Sequence, residues 1–398
     1  MRTLVVSDLH LGSRGLRDVL RQRAALDALL AALSRADRLV LLGDVVELLE
    51  GRVSGALSEA EPVLRRIGRA MAGGEVLVVP GNHDHLLVRA WIRERRLEEA
   101  RPLGAATQVP LDATEPLAEV TAALRPPEGR IRVQYPGAWL GRAIYAHHGH
   151  YLDQHLVAAA VSRITRAAAE GARSPAERYE LSRAPTVAAA SLLVRDLPGA
   201  FEERVERVGG LARALGKRLL SAGDAGRGRA ERLAPLGADL LHRRLEAGGL
   251  PAMLQVARDL GVLPRARHLL FGHVHRLGPL DGAEALAAWR PDPDGPWLWN
   301  SGCWVHEPLI VGPAEVDSPF WPGGALLLED ERTPQVLRLL RDVEPGRIVP
   351  QPRQVGAPPA RSGEAADGEP DRDGEDPDLY DVDADGELLG EEPEPPPA

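Results

Sequence analysis

Met1-Arg2-Thr3-Leu4-Val5-Val6-Ser7-Asp8-Leu9-His10 opens the chain with a short apolar run that closes on an aspartate and a histidine. The construction recurs. Leu39–Leu42 runs into Gly43-Asp44, Val76–Val79 into Pro80-Gly81-Asn82, and Ala143–Ala146 into His147-His148. His268–Phe271 then runs into Gly272-His273, and Trp297–Trp299 into Asn300-Ser301-Gly302. Uninterrupted apolar runs of this length suit strands buried on both faces. Between the first three lie stretches of helical spacing, Leu16–Leu33 and Ala56–Met71. The resulting β-α-β-α-β order predicts an α/β fold with a layered core.

Outward from that core the texture changes. From about Leu156 to Ala266 the chain is Ala, Leu and Arg at helical spacing, broken at Ser174-Pro175, Pro198-Gly199, Gly223–Gly228 and Gly248–Pro251. This reads as three to five helices inserted between two core strands, forming a cap at about 156–266. The last core strand is expected near Val336–Leu340, so the catalytic domain should span 1–345. Residues 346–398 are Pro-rich and then acidic, too poor in apolar side chains to offset chain entropy, and are expected to be a disordered tail.

At 398 residues and 44 % hydrophobic, the chain can bury a sizeable core, which excludes a peptide or a bare interaction module. Its single cysteine, Cys303, permits no intrachain disulfide. No signal-peptide pattern precedes the first strand and no apolar run approaches the ~20 residues a membrane span needs, which predicts a cytoplasmic protein without a transmembrane segment. The net charge of −10 is unevenly placed. Residues 361–398 hold fifteen Asp and Glu against Arg361 and Arg372, a net of −13 that leaves about +3 on the rest. A near-neutral body gives no strong nucleic-acid signal.

The strand-end clusters form a set of metal ligands: Asp8-x-His10, Gly43-Asp44-x-x-Glu47, Gly81-Asn82-His83-Asp84, His148-Gly149-His150 and Gly272-His273-Val274-His275. Carboxylate, imidazole and amide oxygen suit manganese, iron or zinc better than softer metals. In an open α/β sheet, groups at the carboxyl ends of neighbouring strands converge on one crevice. Seven donors are too many for one ion and suit two divalent ions sharing a carboxylate.

The five blocks, in this order, resemble the calcineurin-like metallophosphoesterase superfamily over residues 1–150 and 268–305. The resemblance implies a layered β-sandwich core flanked by helices. It also implies that Asp8, His10 and His275 hold one metal, that Asn82, His148 and His273 hold the other, and that Asp44 bridges both. Two divalent ions, with manganese preferred and iron or zinc as alternatives, would then supply a bridging hydroxide for direct attack at phosphorus. His83 matches the position that protonates the leaving oxygen or offsets developing charge, and Asp84 is expected to orient it. Ser7–Ser13 and Gly43–Glu47 are similar to the UDP-2,3-diacylglucosamine pyrophosphatase branch. That branch usually carries Arg where this chain has His83.

The implied function is hydrolysis of a phosphomonoester, phosphodiester or pyrophosphate bond in a small phosphorylated substrate, nucleotide-linked or lipid-linked. The substrate and the oligomeric state stay open. Two alternatives stand beside it: a DNA nuclease of the same superfamily, which should bring a basic groove, and a non-catalytic scaffold, which should have lost ligands. Glu47 and His150 are expected to orient ligands. Asn300-Ser301-Gly302 should pack the site floor, and His85, His155 and His306 read as surface or core histidines. Arg14 could reach a phosphate. Asp381–Glu392 fits a calcium-loop spacing, but Pro377 and Pro393 forbid the flanking helices.

Overall fold

The computed structural model describes residues 1–13, 17–156, 171–182, 249–280, 283–308 and 310–349. Arg14, most of the expected insertion, the acidic tail and its calcium-loop spacing lie outside the described residues.

Strands β1 (Arg2–Val6), β2 (Arg38–Leu42) and β3 (Glu75–Val79) lie parallel side by side. They are linked by helices α1 (Arg23–Leu33) and α2 (Val53–Ala70). After α3 (Leu86–Leu97), β4 (Ala106–Val109) and α4 (Glu115–Leu124) comes the long strand β5 (Arg130–Trp139). Its first half pairs in parallel with β3, while Gly137–Trp139 pairs antiparallel with β6 (Ile144–His147). Beyond β6 follow β7 (His268–Phe271) and β8 (Trp297–Asn300), both parallel to it. β9 (Gly324–Glu329) and β10 (Gln335–Arg338) close the other edge, giving the order β10-β9-β1-β2-β3-β5-β6-β7-β8, with β4 beside β5.

Because β5 serves both halves, the sheet folds over on itself. Val5, Val40, Leu42, Leu77 and Val79 from the first half meet Ile144, Ala146, Leu270 and Trp299 from the second in one buried layer. The alternate residues of the same strands point outward. Leu4, Val6, Leu39, Leu41, Val76 and Val78 pack under α1, α2 and α4, and Tyr145, Leu269, Phe271 and Leu298 form a separate layer on the far side. Both faces of each central strand are therefore apolar, which is why the runs carry no polar alternation. At roughly 1.5–3 kcal/mol per buried Leu, Ile or Val, these three layers are the main source of stability.

The first helix begins at Arg23 rather than Leu16. Asp18 bridges Val305, Val19 N–H donates to the Trp304 carbonyl at 3.0 Å, and a 3-10 turn at Val19–Arg21 follows. Pairing with a distant loop takes this backbone away from the helix. The described parts of the insertion and its entry are helical at α5 (Asp153–Leu156), Pro175–Leu181 and 249–259. Leu156, Tyr179, Met253 and Val256 pack on the outer face of β6 and β7. No helix among the described residues is long and apolar enough to cross a membrane.

Candidate active site

At the carboxyl ends of β1 and β2 the chain turns sharply in step. Asp8 N–H donates to the Gly43 carbonyl at 3.0 Å, His10 N–H to the Asp44 carbonyl at 2.8 Å, and Leu11 N–H to Val45 at 3.0 Å. The other half of the sandwich meets this edge through His148, whose Nδ1 lies 2.8 Å from the Leu42 carbonyl oxygen. His273 N–H donates to both Asp8 carboxylate oxygens, at 3.1 and 3.0 Å.

Asp8, His10, Asp44, His273 and His275 all adopt left-handed backbone, with φ of 55°, 44°, 53°, 67° and 57°. Such conformations cost of order 1–3 kcal/mol each and persist only where the surroundings over-determine them. Glycines let these turns approach one another. A Cβ on Gly43, itself at φ +87°, would sit inside the His148 ring, and one on Gly272 would strike Ser7 and Asp8. Asn300 holds Gly272 in place, its Nδ2 donating to the Gly272 carbonyl at 2.7 Å.

The side chains form three overlapping groups that could hold cations: Asp8, His10 and His275; His10, Asp44 and His83; and Asp44, His148 and His273. Asn82 joins the third, its Oδ1 3.2 Å from His148 Nε2. All seven residues expected as ligands thus come together.

The hydrogen bonds behind the imidazoles assign their tautomers. Glu47 Oε2 lies 2.9 Å from His10 Nδ1, and an ionised carboxylate can only accept, so His10 carries its proton on Nδ1. Its Nε2 is buried without a hydrogen-bond partner and stands 3.7 Å from Asp44 Oδ2. The Leu42 carbonyl likewise fixes a proton on His148 Nδ1, leaving Nε2 facing Asp44 Oδ2 at 3.1 Å and Asn82 Oδ1 at 3.2 Å. Lone pairs aimed at lone pairs are repulsive unless a positive charge lies between them. Without an ion, a proton takes that place. Burial would push His148 down, yet Asp44 and Asp8 outweigh it and raise it to about 10. Asp44 falls well below the carboxylate range against the pull of burial, through His148, His10 and His83. The donor set and the orphaned Nε2 fit divalent cations.

Glu47 also reaches His83, with Oε2 2.7 Å from its Nδ1. Burial, which would lower His83, is outweighed by Glu47 and Asp44, and the ring is raised to about 9. Glu47 itself is drawn down to about 2 by His10 and His83 despite its burial. The expectation that Asp84 orients His83 is corrected here. Asp84 Oδ2 accepts Val45 N–H at 2.8 Å and Oδ1 accepts Gly81 N–H at 2.6 Å, so its carboxylate clamps the two loops and turns away from the imidazole. Burial and the nearby Asp44 raise it to about 6.

Asp153 escaped sequence reasoning. It sits on α5 with Oδ1 2.9 Å from His273 Nε2, and only its place five residues after His148 could have signalled it. The remaining histidines stand apart from the three groups. His155 bonds the Tyr179 hydroxyl at 2.7 Å, and His306 is buried against Trp321. His147 is buried and neutral, with Nδ1 accepting Gly149 N–H at 2.8 Å, and burial drives it down to about 3.

No curated protein matches the chain in sequence. Among solved structures it is similar to the cold-active protein-tyrosine phosphatase of a psychrophile Shewanella sp., at 15 % identity over 84 % of this chain and 80 % of that one. The TM-score is 0.26. Residues 1–157 match the family model of the calcineurin-like phosphoesterases, a span containing Asp8, His10, Asp44, Asn82, His83 and His148. That match supports the calcineurin-like phosphoesterase superfamily for residues 1–157.

Proposed function

We propose that this protein is a dinuclear metal-dependent phosphoesterase that hydrolyses a phosphomonoester, phosphodiester or pyrophosphate bond in a small phosphorylated substrate, nucleotide-linked or lipid-linked. The observation that carries the proposal is the pair of Nε2 lone pairs, on His10 and His148, that both face Asp44 Oδ2, at 3.7 and 3.1 Å. In this reading Asp8, His10 and His275 hold one divalent ion, Asn82, His148 and His273 the other, and Asp44 faces both. Manganese suits this mixed oxygen and nitrogen set, with iron and zinc as alternatives. When bound, two such ions lower the pKa of water and stabilise charge developing on phosphate oxygens.

The chain's own groups do the rest. Glu47 holds His10 in the tautomer whose Nε2 is free, and the Leu42 carbonyl does the same for His148. His83, cationic through its pairing with Glu47, keeps a proton on Nε2 for the departing oxygen. Asp84 fixes the Gly81–His83 turn against Val45. The proposal also places the protein in the cytoplasm, with residues 1–345 as its catalytic domain.

The test is hydrolysis of p-nitrophenyl phosphate, bis-p-nitrophenyl phosphate and a nucleoside diphosphate ester by chelator-stripped protein with Mn²⁺ restored. Mn²⁺-dependent turnover that Asp44→Asn abolishes is expected. Absence of turnover on all three, with fewer than two Mn²⁺ retained per chain, would refute the reading.

A further inference from the structure

Two neighbouring side chains of the helix Pro175–Leu181 meet at Tyr151 but differ in their other partners. Tyr179 donates its hydroxyl to Asp259 Oδ2 at 2.7 Å and stacks on Tyr151 with 4.4 Å between ring centroids. Glu180 engages the candidate site's neighbours. Its side chain is 8 % exposed, and its carboxylate accepts the Tyr135 hydroxyl at 2.7 Å, the Tyr151 hydroxyl, and His85 Nε2–H at 2.8 Å. A buried carboxylate costs several kcal/mol unless its lone pairs are satisfied, so β5, the turn after β6 and the start of α3 are all held to it.

Two of these arms end at the metal-ligand cluster. His85 follows Asn82, His83 and Asp84 directly and stands immediately before α3. The Tyr135 hydroxyl, its proton given to Glu180, faces His150 Nε2 at 3.3 Å as an acceptor. The His150 ring in turn lies 5.6 Å from that of His148.

We infer that Glu180 is a positioning residue of the site: through His85 it sets the loop carrying Asn82 and His83, and through Tyr135 it sets His150 beside His148. The helix Pro175–Leu181 of the insertion is thereby part of the support for the Asn82–His148–His273 group. The inference rests on reading Asn82 and His148 as ligands of a cation.

The experiment uses the full chain and Co²⁺ as probe, titrated by calorimetry and followed by its visible absorption. In Glu180→Gln the amide presents N–H groups where a carboxylate oxygen accepted, so one arm is lost. One of two Co²⁺ equivalents should weaken about tenfold with a changed visible band, and the other should be unaltered. Tyr179→Phe, which removes the same helix's hydroxyl bonds to Asp259 and His155 and keeps the ring on Tyr151, should lower the melting temperature and leave both Co²⁺ equivalents and their bands as in wild type. Should Glu180→Gln fail to fold, His85→Ala, at a side chain 29 % exposed, reads the same arm. Wild-type isotherms and bands in the folded variant would overturn the inference while leaving the proposed function intact. A wild-type chain that takes up no Co²⁺ would overturn the proposed function and this inference with it.

Discussion

Replacing Glu47 by Gln tests the reasoning about tautomers most directly. One oxygen, Oε2, accepts from His10 Nδ1 at 2.9 Å and from His83 Nδ1 at 2.7 Å, while Oε1 accepts Leu49 N–H at 3.0 Å. If the amide oxygen keeps Leu49, the amide nitrogen faces two ring N–H donors. His10 must then shift its proton to Nε2, the nitrogen that faces Asp44, or lose the bond altogether. If the amide flips, Leu49 N–H loses its acceptor and the two imidazoles face a neutral amide oxygen in place of a carboxylate. Either way about one charge-assisted hydrogen bond is lost, roughly 1.5–3 kcal/mol. At 1.36 kcal/mol per decade this is about a 10- to 100-fold loss of affinity in the His10 group, in line with what a carboxylate behind a metal-bound imidazole usually contributes. Calorimetric titration of chelator-stripped wild type and Glu47→Gln with Mn²⁺ at neutral pH measures it directly. Turnover of bis-p-nitrophenyl phosphate should fall in parallel. An isotherm indistinguishable from wild type would mean that Glu47 does not set the His10 tautomer, and the reasoning would fail.

Three further outcomes are expected. His83→Ala should lower kcat by about 10²–10⁴-fold while both Mn²⁺ ions remain bound, checked by turnover and metal analysis on the same sample. Gly43→Ala should cost stability and the His148 group's metal, because a Cβ at φ +87° enters the His148 ring, whereas Gly55→Ala, with open space around it in α2, should raise stability by about 0.5–1 kcal/mol; urea midpoints and Mn²⁺ uptake compare them. Finally, His147 stays neutral in the folded chain down to about pH 3 but binds a proton below 6.5 when unfolded, so its contribution is intact above 6.5 and is lost as pH falls toward 3. The metal-free His147→Asn variant, whose amide oxygen can still accept Gly149 N–H, should lose about 2 kcal/mol less than wild type between about pH 6.5 and pH 5, and equal losses in urea titrations would refute this.

The sequence by itself determined strands β1, β2, β3, β6, β7 and β8 and the polar clusters at their ends, though not β4, β5 or β9. Leu39–Leu42 and Val76–Val79 are legible because a strand buried on both faces needs an unbroken apolar run, and Asp8, His10, Asp44, Asn82, His273 and His275 stand where those runs stop. Burial is periodic, and periodicity is written locally. The order of the candidate ligands was legible for the same reason, since Asp8 and His10 follow β1, Asp44 follows β2, Asn82 follows β3, His148 follows β6, and His273 and His275 follow β7.

What only the tertiary structure decided is which side chains meet across the chain. Asp84 is next to His83 in sequence, yet its carboxylate is taken by Val45 and Gly81 N–H groups, and Glu47, thirty-six residues away, reaches the imidazole. Asp153 reaches His273 across 120 residues, and Glu180 reaches His85 across 95. The role of β5 was hidden too, because its two halves pair with different strands in opposite senses. The left-handed backbone of five site residues is likewise invisible in composition. A hydrogen bond depends on the direction of a lone pair and a strained turn on the contacts that hold it, and both are set by segments that meet only when the two halves of the sandwich close.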